Sequence, residues 1–473
     1  MIADLTPYPE MKDSGVPWLG SIPAGWGIRR LKTVFREVDR RSTTGTETLL
    51  SLRMQQGLVD HHATGGRPIP AESLVGYKLT EPGEIVMNRM RAAAGLFAAT
   101  PSAGIVSPDY AVLRPIVATE LDYYVHLFRT PLMMSIFRLE STGLGTGESG
   151  FLRLYTERFG MLPTLIPPRS EQVAIVRFLD CADQRIRRYI QAKQRMIKLL
   201  EEQKQAIIHR AVTRGLDPSV HLKPSGVRWL GDVPDHWTVA ALRLRYAQCL
   251  GKMLDSKRIR GVHTLPYLRN TDVQWDRVNT AKLPVMDIAP NEYERYAVKP
   301  GDLLICEGGE VGRAAIWNGE LKLCGFQKAL HRLRPLALDR DVPRFLLYVF
   351  RAASKGGAFD DGHESTIAHL TGDKLRAHRF LFPPESEQRA IVAHLDHRVQ
   401  EIERGARSAN CGIALLREYR TRLVTDVVTG KLDVREAAAA LRDEAHEPEP
   451  FDDTAAFEAD DPESDAAPEE DEA

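Results

Sequence analysis

Pro167-Pro168-Arg169-Ser170-Glu171-Gln172-Val173-Ala174-Ile175-Val176 returns 216 residues later as Pro383-Pro384-Glu385-Ser386-Glu387-Gln388-Arg389-Ala390-Ile391-Val392. The same offset still holds where Thr213, Leu216 and Asp217 match Thr429, Leu432 and Asp433. No insertion or deletion separates the copies, and a fixed length is what a rigid helix keeps. The Pro-Pro pair cannot extend a helix backwards, Ser170 or Ser386 is placed to cap the free amides, and Glu171 or Glu387 suits the positive end of the dipole. Two long helices are therefore expected within residues 167–217 and 383–433.

Stepping alternately three and four residues gives Val176, Leu179, Asp183, Ile186, Ile190, Lys193, Ile197, Leu200, Lys204, Ile207 and Ala211 in the first copy. In the second it gives Val392, Leu395, Val399, Ile402, Ala406, Ala409, Ile413, Leu416, Arg420, Leu423 and Val427. Eight and ten of these eleven positions are apolar, which is coiled-coil spacing sustained beyond what a helix lying on a globular core needs. The expected seam comprises Leu179, Ile186, Ile190, Ile197, Leu200 and Ile207 with Leu395, Val399, Ile402, Ile413, Leu416 and Leu423. A helix of about 44 residues is ~65 Å long. The domain between the copies should be only about 40 Å across, so an antiparallel pair is expected.

A second repeat precedes each variable region. Lys12, Ser14, Gly15, Val16, Trp18, Leu19, Gly20, Pro23, Trp26 and Leu31 match Lys223, Ser225, Gly226, Val227, Trp229, Leu230, Gly231, Pro234, Trp237 and Leu242 at an offset of 211. This is an aromatic-anchored turn leading into a strand or short helix, read as a structural clamp rather than a ligand site. Between heads and helices, Leu52-Arg53 corresponds to Leu268-Arg269, Pro82-Gly83-Glu84 to Pro300-Gly301-Asp302, and Leu113-Arg114-Pro115 to Leu333-Arg334-Pro335. Short β runs (84–87, 302–306, 111–113) alternate with helical ones (121–128, continuing to 139, and 342–351). The expected class is α+β: two similar domains separated by a pair of long antiparallel helices, with a pseudo-twofold internal repeat. The expected segments are 1–166, 167–217, 218–382, 383–433 and an acidic, disordered tail, 434–473.

The net charge of −1 conceals an asymmetry. Residues 443–473 hold fifteen Asp and Glu and no Lys or Arg, which leaves 63 basic against 49 acidic residues in the body, a net +14. A polyanion partner, most simply double-stranded DNA, is expected; a solubilising charge excess is the plain alternative. Five scattered cysteines (Cys181, Cys249, Cys306, Cys324, Cys411) without a CxxC pair fit a reduced cytoplasmic protein and no metal site. No apolar run approaches a membrane span.

The chain carries no phosphate-binding loop motif and no zinc-ligand spacing. The glycine-rich stretch 142–147 follows a helix rather than a strand and is read as a loop. Residues 308–313 are an exposed glycine turn from which Arg313 could approach a phosphate. Asp302 with Glu320 and Lys322 has the composition of a nuclease site, but such a trio arises easily in a chain with 27% charged residues. Groups suited to base edges and phosphates cluster in both variable regions. The first offers Arg53, Gln55, Gln56, His61, His62, Arg67, Asn88, Arg89 and Arg91. The second offers Arg258, Arg260, Arg269, Asn270, Arg277, Arg313, Gln327, Lys328, Arg332 and His363. For each residue alone, a solvated surface role is equally good; the signal lies in the paired clusters.

The duplicated Trp-Leu-Gly-x-[Ile/Val]-Pro-x-x-Trp heads and Pro-Pro-x-x-Glu-Gln-x-x-Ile helices together resemble the specificity subunit of type I restriction-modification enzymes, over residues 12 to about 433. The resemblance implies two target-recognition domains reading an asymmetric, bipartite DNA site. It also implies that catalysis lies in partners: two modification subunits using S-adenosylmethionine to methylate adenine N6, and restriction subunits using ATP and Mg2+ to translocate and cleave DNA. No cofactor is expected on this chain. The acidic tail departs from the family pattern. An autonomous nuclease or methyltransferase, and a scaffold without DNA binding, are the competing readings.

Overall fold

The computed structural model describes residues 5–143, 152–254, 261–359 and 369–441. Two compact units emerge, Met1–Arg187 with Arg417–Ala473, and Arg188–Leu416. The division falls inside both long helices rather than at their ends, so each unit owns one variable region and a stretch of each helix.

The first unit begins with an antiparallel head hairpin, Met11–Asp13 against Ser21–Pro23. Gly27–Arg30 then pairs with Pro163–Ile166, closing the unit just before the long helix. Between them lies an antiparallel sheet in the order Phe35–Val38, Tyr110–Pro115, Ile85–Asn88, Phe97–Ala99. Side chains alternate across it. Ile85, Met87, Ala111 and Leu113 face helices Leu121–Phe128, Pro131–Glu140 and Thr156–Met161, where Phe97, Phe128, Phe137 and Phe159 interlock. Val86 and Val112 face the hairpin Leu50–Arg53/Gly57–Asp60 through Leu50, Leu52 and Leu58. The helical run expected to continue to 139 is broken at Arg129. Pro131 opens a new helix, and the Thr130 hydroxyl accepts the Met133 amide at 3.3 Å.

The second unit repeats the plan. Its head hairpin is Leu222–Pro224/Asp232–Pro234, its closing pair Thr238–Ala241/Arg379–Phe382. Its sheet runs Tyr246–Leu250, Leu330–Pro335, Leu303–Cys306, Ala314–Ile316, in the same antiparallel order. Leu303, Ile305 and Leu333 face helix Pro343–Lys355; Leu304, Cys306 and Leu330 face Trp317, Cys324 and Phe326. The aligned motifs hold equivalent ion pairs. Glu84 is buried against Arg114 and Arg40, and Asp302 is buried against Arg334 at 2.7 Å. The second domain adds strand Thr264–Leu268, which pairs with Val285–Asp287 and, in parallel, with Gly325–Phe326.

The long helices are Arg169–Arg214 and Glu385–Val428. Their ends differ because the glycine with positive φ stands one residue earlier in the second copy, Gly430 against Gly215. Ser170 and Ser386 fall inside the first turn, so neither is the cap. The carbonyls of Pro168 and Pro384 accept the first amides instead. In the first unit, Asp183 pairs with Arg420, and Phe178, Leu179 and Ala182 share a core with Leu423 and Val427. In the second, Leu200 packs beside Gly405, Lys193 lies along Gly412, and Lys204 Nζ is 3.7 Å from Glu403. Numbers rise on one helix as they fall on the other, so each pairing is antiparallel. Of the expected seam, Leu179, Ile186, Ile190, Leu395, Val399, Ile402, Ile413 and Leu423 are buried, and Ile197, Leu200, Ile207 and Leu416 are half-buried. Ile208 rather than Ile207 is fully buried, because it faces the second unit's core.

Candidate nucleic-acid interface

In the first unit the hairpin Leu50–Arg53/Gly57–Asp60 projects Gln55 and Gln56 at its tip, with half-buried Arg53 beside them opposite Gly57. His62 and Arg67 are exposed beyond the other end of strand Gly57–Asp60, four residues or ~13 Å away. An inner post shapes that loop. His61 is buried, with Nδ1 2.9 Å from the Ser51 hydroxyl and Nε2 3.2 Å from the Arg67 carbonyl. A Cβ on Gly66 would meet the His61 ring at 2.3 Å, so only glycine lets the loop close. His61 therefore holds the loop and does not offer its ring to a ligand.

Several candidates have structural duties instead. Asn88 accepts the Met90 and Arg91 amides through its side-chain oxygen and braces the turn. Arg89 donates to Glu37 at 2.5 Å and to Thr156 at 3.3 Å. Burial raises the Glu37 carboxyl, but hydrogen bonds from Thr156 and Lys78 and the charge of Arg89 outweigh it and hold the group low. Arg91 is half-buried.

In the second unit, Arg277 is exposed at the tight hairpin Val273–Gln274/Arg277–Val278, and Lys328 is exposed between strands Gly325–Phe326 and Leu330–Pro335. Arg269 is committed to Asp272 at 2.8 and 2.9 Å. Burial raises Asp272, and the bonds and charge of Arg269 more than offset it. Asn270 and Arg313 are committed to each other: Arg313 Nη2 donates to the Asn270 side-chain oxygen at 2.8 Å, and Asn270 donates to the Gly308 carbonyl. With Trp275 donating to Glu310, they pin the glycine turn 308–313, so Arg313 does not reach outward from it. Arg332 is buried, donating to the Ala297 carbonyl at 2.7 Å and to that of Glu294, over the Phe326 ring. It lies inside the domain, because a sheet-centre position points it inward. Gln327 is half-buried. Arg258, Arg260 and His363 lie outside the described residues, as do positions 144–147 of the first glycine-rich stretch.

Exposed Gln55, Gln56, His62 and Arg67 thus stay available in one unit, and Arg277 and Lys328 in the other. The nuclease-like trio is not assembled for metal: Asp302 is buried under Arg334, while Glu320 turns to Asn318. Among the described residues no group of three His, Cys, Asp or Glu is placed to hold a metal ion. Cys306 and Cys324 are fully buried, and that burial pushes the Cys306 thiol up and the Cys324 thiol up to about 12. No helix among the described residues is long and apolar enough to cross a membrane.

The repeated motifs proved to be fasteners. Trp26 Nε1 donates to Glu171 at 2.8 Å, and Trp237 Nε1 to Glu387 at 2.9 Å. Each head is thereby tied to the start of its long helix. Gln172 and Gln388 are buried and reach back to the carbonyls of Pro167 and Pro383. Their oxygens accept the Glu120 and Val342 amides ahead of the flanking helices. Sequence reading identified the clamp but not its partners; the invariant Glu-Gln of both copies was the available signal.

Residues 250–409 match the family described as type I restriction modification DNA specificity domain. None of the curated proteins compared matches the chain. Among solved structures, a chain from a structure of the type I R-M system, reported for its complex assembly and conformational transition, is 19% identical with a TM-score of 0.69. The match covers 87% of this chain and 99% of that one. The HsdS subunit from Thermoanaerobacter tengcongensis is 20% identical with a TM-score of 0.55, covering 87% of this chain and 98% of that one. Residues 250–409 are thus similar to a type I restriction modification DNA specificity domain, and the chain shares its fold with the HsdS subunit and with the chain of the type I R-M system.

Proposed function

We propose that this chain is the DNA-recognition subunit of a type I restriction-modification complex and reads an asymmetric site in two parts, one per unit. The observation that carries this is the duplicated scaffold. The same sheet order, ion pairs and Trp–Glu fasteners occur twice, while the exposed polar groups differ, with Gln55, Gln56, His62 and Arg67 in one unit and Arg277 and Lys328 in the other. Equal scaffolds with unequal surfaces suit two different half-sites. Arg53, Arg91 and the residues outside the described segments, Arg258 and Arg260, complete the candidate contacts.

On this reading the chain is not catalytic. Two modification subunits bring S-adenosylmethionine and methylate adenine N6. Restriction subunits bring ATP and Mg2+ for translocation and cleavage, in the cytoplasm. Methylation mapping of cells with and without the gene tests it. The expected result is one bipartite adenine motif that vanishes with the gene, and no methyl transfer by the purified chain alone. Methylation or cleavage by the chain freed of partners would overturn the reading.

A further inference from the structure

The fastener of the first unit is covered, and that of the second is open. Over Trp26 and Glu171, Tyr8 lies edge-on to the Trp26 ring at 5.7 Å and donates its hydroxyl to Glu171 at 3.0 Å. The Arg435 guanidinium sits over the Tyr8 ring at 5.1 Å. The short helix Arg435–Ala440 follows, with Val434 and Ala438 in the core. In the second unit the corresponding place is a cavity of about 310 Å3, lined by Gly215, Asp217, His236, Trp237, Glu387 and Ala390 among others.

The sequence explains the difference. Tyr8 maps to Ser219 at the head offset of 211, and Arg435 maps to the same Ser219 at the helix offset of 216. Two stretches of chain far apart in sequence, around Tyr8 and around Arg435, converge on the first fastener, whereas a single connection passes the second. One small serine, turned back onto Asp217 at 2.6 Å, stands for both large side chains. Three equivalent pairs register the loss. The Glu171 side chain is 14% exposed and Glu387 40%. Leu432 is half-buried against the core, while its counterpart Leu216 is 45% exposed. Ala174 is packed and Ala390 exposed.

We infer that the open groove is a docking site for a segment of a partner protein with the chemistry of its intramolecular counterpart: a phenol hydroxyl or guanidinium for Glu387, carried beside a short helix of small residues. Glu387 offers it a carboxylate whose oxygens already accept Trp237 and lie 2.7 Å from His236. A second copy of this chain is the poorer occupant. Its own segment is held by Glu171, by the Thr6–Asp433 pairing and by Arg177 on the Leu441 carbonyl, and would have to leave them. The inference does not depend on which DNA is read.

The test uses the full chain and, as probe, a fluorescent peptide of residues 429–441 followed by anisotropy. Saturable binding is expected, weakened at least tenfold by Ala390→Trp and at least threefold by Glu387→Gln, with circular dichroism melts confirming folding. Ala390 is exposed, so the tryptophan fills the groove without entering the core. No saturation at about millimolar peptide, or binding indifferent to both variants, overturns the proposal. So does a chain dimer that Ala390→Trp dissociates, which would make a second copy the occupant. DNA binding measured on the same samples separates this from the recognition reading: its absence would sink that reading and leave the groove result standing.

Discussion

Arginines of the two units divide by where their guanidinium groups end. Arg332 spends its donors on the carbonyls of Glu294 and Ala297 inside the second domain, whereas Arg277 is exposed at a hairpin. Arg332→Ala should cost about 1.5–3 kcal/mol of stability, the range for hydrogen bonds to a charged group. Arg277→Ala or Arg67→Ala should leave stability within about 0.5 kcal/mol. Each should cost about 1–3 kcal/mol of DNA affinity if it reads a base. Urea melts beside binding titrations decide this, and unaltered affinity in both variants would remove these residues from the interface. A second residue-scale effect is pH-dependent. His331 is buried, accepting from Gln248 at 3.1 Å on Nδ1 and placing Nε2 3.0 Å from the Leu370 carbonyl. Burial lowers its pKa from the ordinary 6.5, and burial does the same to His378. Below about 6.5 the unfolded chain takes up protons that the native state refuses. The stabilising contribution is therefore full above that pH and lost as pH falls through the folded value. The second unit should melt progressively earlier from pH 7 to 5, and His331→Gln should flatten that slope.

Each long helix carries a stripe of apolar residues interrupted by charged positions and, in the second helix alone, by Gly405 and Gly412, and these interruptions are unequal. A Cβ on Gly405 would lie 3.5 Å from Leu200 Cδ1, an ordinary contact. On Gly412 it would meet the flexible end of Lys193 at 2.9 Å. Gly405→Ala should stabilise by about 0.5–1 kcal/mol through helix propensity, and Gly412→Ala by less, since Lys193 must move. Leu395 is fully buried, so Leu395→Asp should cost several kcal/mol, while Cys411→Ser on an exposed face should be close to neutral. Thermal melts of the four variants rank them, and equal tolerance of Leu395→Asp and Cys411→Ser would show that the stripe is not a packed seam.

At the level of the whole chain, charge is divided along the sequence, and the proposed recognition would lie in the basic part. Deleting residues 443–473 removes fifteen negative charges and takes the chain from a net −1 to +14. Nonspecific DNA affinity should rise, most at low salt, and the recognised sequence should stay the same. On the proposed reading, exchanging residues 33–162, between the first head and the first long helix, for the equivalent region of a type I specificity subunit should change one half of the methylated motif and spare the other. Methylation mapping reads both experiments, and a truncated chain with a new motif, or an exchange that altered both halves, would contradict the division of labour proposed above.

Repetition made the scaffold legible from sequence alone. Fixed-offset copies specified long helices and duplicated heads, because periodicity, proline and glycine act locally and leave their spacing in the chain. Local chemistry also named the fastening tryptophans. Only tertiary structure decided which arginines face outward, since strand position and neighbouring carboxylates set that, and neither is visible along the chain. Arg89, Arg269, Arg313 and Arg332 look like Arg67 and Arg277 in sequence but have partners 35 to 67 residues away, or an Asp three residues on. The unequal covering of the two fasteners likewise came from folding. Tyr8 and Arg435 are 427 positions apart in sequence, and only the fold stacks them over one glutamate.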